Sequence, residues 1–379
     1  MKKVALALGL LLLASPAFAQ FGRLNDALKK AEKVKKLADI KVTAGEERQI
    51  GQHVSDRIVE EFGVYQDVHV TKYVTLVGSV IAQASPRPDL EWQFVVLDTD
   101  GVNAFAAPGG FVHITKGLLG LIKNEAELAG VLAHEIIHVT EKHTVNAIQK
   151  GDAVSFASDE VSSSGSMTQS LVTKFADAAY KSILDNKFSR NDENESDARG
   201  VAIANEVGYA PAGLRDVLTK LAERNKAAQE QNGLFASHPV IKDRMAKISR
   251  TIADRGLSAT ATVAARYADN ITFDAKPVDA LALVPEGSRG LAGGEEKGEE
   301  KKDGEAGKKD EPAKKPSRFG GALGALTGGG KQAQQSQTVA SAGARGVNPD
   351  RDSVGGPNKS RVTITIGPAE IAEFRQGIA

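Results

Sequence analysis

Residues 124–150, NEAELAGVLAHEIIHVTEKHTVNAIQK, decide how the rest of the chain is read. They predict one long helix, opened by a capping-box pattern at Asn124 to Glu127. From Leu128 to Val139 that helix is apolar on nearly every side, as a buried helix is. His134, Glu135 and His138 interrupt the run. Burying such groups is costly unless they are paired, hydrogen-bonded or bound to a metal.

The spacing says which. His134 and His138 lie about one helical turn apart, so both imidazoles project from one face and can share a tetrahedral ion. Glu135 sits one position round, beside the coordination position left open. This is the H-E-x-x-H pattern of zinc hydrolases. A catalytic zinc takes a further protein ligand as well as water, so the helix alone cannot complete the site. Downstream, residues 189–200 read SRNDENESDARG. Ser189 and Asp192 look like a helix start, which places Glu193 and Asp197 on one face. Glu193 is assigned as the third ligand to one zinc ion per chain. Asp197 is assigned as the acceptor that holds a ligand histidine in one tautomer, and Glu195 to a solvated face.

HEIIH followed by an E-x-x-x-D helix resembles the gluzincin metallopeptidases. The flanking stretches NAFAAPGG, FSRNDENESDARG and SHPVIKDRMAKI resemble the family that includes the membrane protease HtpX, the CAAX prenyl protease and the periplasmic proteases BepA and LoiP. The resemblance runs from Gly45 to Asp254 and is strongest toward the periplasmic members, since no multi-pass membrane segments are visible. It implies a zinc metallopeptidase whose bound water is the nucleophile and whose base is Glu135.

Outward from the site, the pattern is α+β and predominantly helical, with a small sheet beside the metal helix. Thr43 to Glu46 is a second capping box, opening a helix to about Glu61, and another follows over Val70 to Ala84. Glu91–Leu97, Asn103–Ala107 and Phe111–Thr115 read as short strands. Asn103, Ala104, Phe105 and Ala106 are the candidate substrate-binding strand, because a sheet edge beside the metal can pair with an extended peptide. In the family resembled, this motif lies along the cleft. His53, His69, His113 and His143 are read as surface or packing residues, His143 being turned well away from the ligand face. The resemblance also singles out His238-Pro239. His238 is either a gating fourth ligand, a donor to the transition state, or a histidine that caps its own loop.

Organisation follows from composition. Residues 1–19 read as a secretory signal peptide, with Lys2 and Lys3, an apolar run and Ala17-Phe-Ala19. Residues 20–43 read as an amphipathic helix, 44–256 as the zinc metallopeptidase domain and 257–283 as an extension. Ser- and Gly-rich Ala157 to Ser170 reads as a lid loop. Residues 284–359 carry mixed charge and few apolar side chains and read as a disordered linker, before a short C-terminal segment, 360–379, with strand-like Arg361–Ile366.

The expected address is the periplasm, in soluble form, with no integral membrane segment after signal cleavage. Lys and Arg number 48 against 48 Asp and Glu, which gives no reason to expect nucleic acid. There is no cysteine, so neither disulfides nor a lipid on cysteine can form. The expected partners are unfolded or misfolded proteins, with outer-membrane assembly machinery added by the resemblance to BepA. BepA's helical repeats are not visible here. Two rivals stand beside proteolysis: an assembly factor or chaperone with secondary protease activity, and a scaffold whose zinc is purely structural.

Overall fold

The computed structural model describes residues 41–151, 167–184, 188–228, 241–277 and 357–378. Helix α1, Ala44–Phe62, begins at a complete capping box: the Thr43 hydroxyl accepts from Glu46 N, and the Glu46 carboxylate accepts from Thr43 N. Asp67 caps α2, Val68–Gln83, by accepting from the His69 and Val70 amides.

Strands β1 (Gln93–Leu97), β2 (Ala104–Ala107) and β3 (Phe111–Thr115) form one sheet in the order β1-β3-β2. β3 runs parallel to β1 and antiparallel to β2, pairing Phe105 with His113 and Ala107 with Phe111. The β2–β3 turn holds Gly109 at φ 74° and Gly110 at φ 99°, where side chains are strained. A Cβ on Gly109 would also stand 2.7 Å from Arg48 Cα, so the turn closes onto α1 only with glycine there.

The sheet is covered on both faces. Period-two alternation sends Phe94, Val96, Ala104, Val112 and Ile114 into the larger core. Val95, Leu97, Phe105, Ala107 and Phe111 go into a second core with α1 and helix α6, Gln169–Leu184. Two-sided burial is why these strands read as apolar runs rather than as polar-apolar alternation. The α+β, predominantly helical class read from the sequence is the class observed.

After α3 (Lys116–Leu121), the helix expected over 124–150 is two helices, α4 (Glu125–Thr140) and α5 (His143–Gly151). The break falls at Lys142, which adopts φ 55°. Such a conformation costs a non-glycine residue about 1–2 kcal/mol. A distant residue offsets that cost: Lys142 Nζ lies 3.0 Å from the fully buried carboxylate of Glu47 on α1. Glu47 also accepts from Arg87 Nη1 at 2.7 Å and from Gly109 N at 3.2 Å. One carboxylate therefore ties the end of α4 to the β2–β3 turn.

Helix α7, Arg190–Val207, opens at a capping box between Ser189 and Asp192 and ends at left-handed Gly208. It packs closely along α4, where Gly200 leaves room: a Cβ there would sit 3.1 Å from His134 N. Helices α8 (Gly213–Ala228), α9 (Ile241–Asp254), α10 (Ala264–Asn270) and α11 (Pro368–Gln376) complete the described elements.

At the start of α4, buried Glu125 accepts from Tyr73 Oη at 2.9 Å, Tyr209 Oη at 2.5 Å and Arg266 Nε at 2.7 Å. Arg266 lies on α10, and its guanidinium stands 4.0 Å over the Phe374 ring of α11. The C-terminal segment thus returns to the same core, with Ile378 only 2% exposed. Residues 361–366, expected to be strand-like, form no strand. Side chains rather than a ladder hold that stretch, Arg361 Nη2 reaching Ser55 Oγ at 2.9 Å and Asp56 Oδ1 at 2.7 Å. Gly367-Pro368 then starts α11, proline being well placed in a first helical turn.

The signal peptide, residues 20–40 of the expected amphipathic helix, residues 157–166 of the expected lid, His238-Pro239 and residues 284–356 of the linker lie outside the described residues. Among the described residues no helix is long and apolar enough to cross a membrane.

Candidate metal centre

Helix α4 brings His134 and His138 to its face toward α7, and α7 brings Glu193 opposite. All are at most 3% exposed. His134 Nε2 and His138 Nε2 are 3.0 Å apart, and Glu193 Oε2 and Oε1 lie 3.6 and 3.5 Å from them respectively. Zinc bonds of ordinary length at tetrahedral angles set ligand atoms about 3.3–3.5 Å apart. The observed separations, 3.0 to 3.6 Å, bracket that range, and the donor set, two imidazoles and a carboxylate, suits that ion. Among the described residues this is the one group of donors close enough to share a metal.

Glu135 follows His134 on the helix and is 4% exposed. As the residue next to His134 on α4, it lies beside the same centre. Asp197, one turn beyond Glu193, has Oδ1 3.0 Å from His134 Nδ1. A proton held on Nδ1 leaves Nε2 to face the cluster.

Arg244 of α9 was not singled out from the sequence. It is 4% exposed, with Nε 2.8 Å from Asp197 Oδ2, Nη2 2.6 Å from Asp197 Oδ1 and Nη1 3.2 Å from Glu193 Oε2. Burial pushes the Asp197 carboxyl up, but the charge and bonds of Arg244, with His134, outweigh it and hold it at about 2. The signal in the sequence was faint: Arg244 shares with Ile248 the inward stripe of an amphipathic helix, where a charge requires a buried partner.

His143 is corrected by the structure. The continuous helix that turned it away does not exist. The break at Lys142 swings it back, 4% exposed, with Nδ1 3.0 Å from His138 Nδ1. Burial holds it below the ordinary histidine value, against the pull of Asp192 and Glu195. Phe188, also missed, covers the His138 ring at 4.4 Å. His53 and His69 are exposed, whereas His113 is fully buried, its Nε2 2.7 Å from Ser55 Oγ.

The candidate substrate strand divides by residue. β2 is an edge of the sheet, and Ala106 lines a groove with Ala107, Pro108, His138, Lys142 and Val145. Ala104 and Phe105 point into the two cores. Asn103 precedes the strand, where its Oδ1 accepts from Ala104 N and its carbonyl from Thr115 N and Oγ1. Those bonds make Asn103 a local anchor for the start of β2.

Residues 69–252 match the model of peptidase family M48. The chain is 26% identical over 212 residues to the β-barrel assembly-enhancing protease of Escherichia coli K12, covering 54% of this chain and 43% of that protein. It is 32% identical over 213 residues to the mitochondrial metalloendopeptidase OMA1 of Schizosaccharomyces pombe, covering 53% and 60%. With metalloprotease YcaL of Escherichia coli K12 it shares 30% over 160 residues, covering 42% and 62%. The chain thus spans less than two thirds of the length of each of these relatives. The stretch that matches peptidase family M48, just under half of the chain, is centred on the packed pair of helices that carries His134, His138 and Glu193.

Proposed function

We propose that this chain is a zinc-dependent endopeptidase that cleaves extended segments of unfolded or misassembled envelope proteins. The observation that carries the reading is the convergence of His134, His138 and Glu193, all buried, beside Glu135. Zinc, when bound by those three residues, supplies a Lewis acid that polarises the scissile carbonyl and acidifies water. Glu135 accepts the proton of the attacking water and delivers it to the leaving amine nitrogen. Asp197 keeps the proton on His134 Nδ1, and Arg244 keeps Asp197 ionised.

The β2 edge holds substrate by pairing with its backbone, and the small side chain of Ala106 lets that backbone approach the groove beside His138. His238, outside the described residues, is retained as a gating ligand or a donor to the oxyanion. The secretory pattern of residues 1–19 supports a periplasmic address. The relative named for β-barrel assembly supports the outer-membrane assembly machinery as a partner.

The test is metal analysis of the mature protein with casein digestion, with and without chelator, alongside Glu135→Gln. The expected result is about one zinc per chain in both proteins and cleavage by the wild type alone, lost on chelation and at least about a hundredfold slower in the variant. A zinc-loaded wild type that leaves casein intact would sink the reading and favour an assembly or scaffold role.

A further inference from the structure

We propose that His143 is a positioning residue for the metal centre, fixing the tautomer of His138 as Asp197 fixes that of His134. The inference rests on the metal-site reading above. His138 turns Nε2 toward His134 and Glu193, so that nitrogen must carry a lone pair to bind an ion. Its proton therefore sits on Nδ1, 3.0 Å from His143 Nδ1. Two ring nitrogens that close need one donor and one acceptor, so His143 Nδ1 accepts and its own proton lies on Nε2.

The surroundings of His143 agree with that placement. Its Nε2 faces the carboxylates of Glu195 at 3.6 Å and Asp192 at 3.9 Å, which attract an N–H. Ser196 Oγ stands farther from Nδ1, at 3.4 Å against 3.0 Å for His138, so the single lone pair of that nitrogen goes to His138. The two ligand histidines are thus held by different chemistry, a carboxylate behind one and an imidazole behind the other. The imidazole reaches its place only because Lys142, bound to Glu47, breaks the helix one residue earlier.

The test is zinc affinity, measured by chelator competition on the full-length mature protein and on His143→Leu, His143→Asn and His143→Gln. Circular dichroism and thermal melts of the metal-free forms check folding. An asparagine Oδ1 takes the place of Nδ1 and can accept from His138, a glutamine amide reaches the place of Nε2 instead, and leucine offers no acceptor.

The leucine and glutamine variants are expected to bind zinc about 10–100-fold more weakly, and asparagine to recover to within about threefold of wild type. The cobalt-substituted absorption band is expected to shift in the leucine and glutamine variants and not in asparagine. If leucine does not fold, asparagine against glutamine decides alone. Equal affinity in wild type and leucine, or equal losses in asparagine and glutamine, would overturn the proposal. A wild type that binds no zinc would overturn the metal site itself.

Discussion

Arg244 and Asp197 meet side-on, Nε to Oδ2 at 2.8 Å and Nη2 to Oδ1 at 2.6 Å, with neither residue more than 4% exposed. Geometry of this kind is worth most where water is excluded, and it is costly to break from one side. The remaining nitrogen, Nη1, lies 3.2 Å from Glu193 Oε2, so a single guanidinium steadies both carboxylates that α7 brings to α4.

Removing that guanidinium should be severe. Arg244→Met keeps much of the volume but leaves Asp197 and Glu193 buried without their cation, and is expected to cost about 3–5 kcal/mol of metal-free stability. Urea unfolding in chelator measures it. A loss below about 1 kcal/mol would show that Arg244 is dispensable to this network. Arg244→Lys should rescue little, since an ammonium cannot span both Asp197 oxygens in one plane.

The third ligand is tested by neighbours on the same helix. Glu193 is 2% exposed, whereas the Glu195 side chain is 44% exposed and bridges Arg199 at 3.1 Å. Glu193→Ala should lose zinc and casein cleavage together. Glu195→Ala should keep the zinc stoichiometry, with little change in stability, because an exposed ion pair contributes about 0–1 kcal/mol. The reverse pattern would place the ligand two residues on.

His113 gives a pH dependence remote from the metal. Burial, followed by the charge of Arg361, lowers it from 6.5 to about 3. Below pH 6.5 the unfolded chain takes up this proton and the folded chain does not, so the stability owed to neutral His113 is complete above 6.5 and declines as pH falls toward 3. The slope is at most about 1.4 kcal/mol per pH unit. Between pH 6.5 and 5 the wild type should therefore lose about 1.6 kcal/mol more than His113→Gln, by urea unfolding in chelator. Parallel pH profiles would refute the assignment.

Substrate pairing on β2 is open to a backbone test. Ala106→Pro removes an N–H from the strand and leaves His134, His138 and Glu193 untouched. Zinc content and circular dichroism should match the wild type while casein cleavage slows through a raised KM. Unchanged kinetics would move the cleft to the other side of the metal.

Short-range information in the sequence was enough for much of this molecule. Capping boxes at Thr43–Glu46 and Ser189–Asp192 each involve residues three apart, so their helix starts follow from local chemistry. The pairing of His134 with His138 follows from helix period alone. The need for a third protein ligand followed from coordination number, and Glu193 stood at a helical spacing from an acceptor, Asp197, that could reach a ligand histidine.

What only the tertiary structure decided depends on residues far apart in the chain. The helix break at Lys142 is offset by Glu47, 95 positions away, and no local signal encodes a left-handed lysine. Without that break His143 would face away from His138. Arg244 meets Asp197 across 47 positions, its partner invisible until α9 packs on α7. The strand-like residues 361–366 stay unpaired as a strand because side chains and the helix behind them fix that segment on the core. The sequence by itself determined which atoms could bind a metal, because helix period and donor chemistry are local. Which side chains stand behind those atoms was decided by packing, because burial forces each charge and each ring nitrogen to find a partner wherever the fold supplies one.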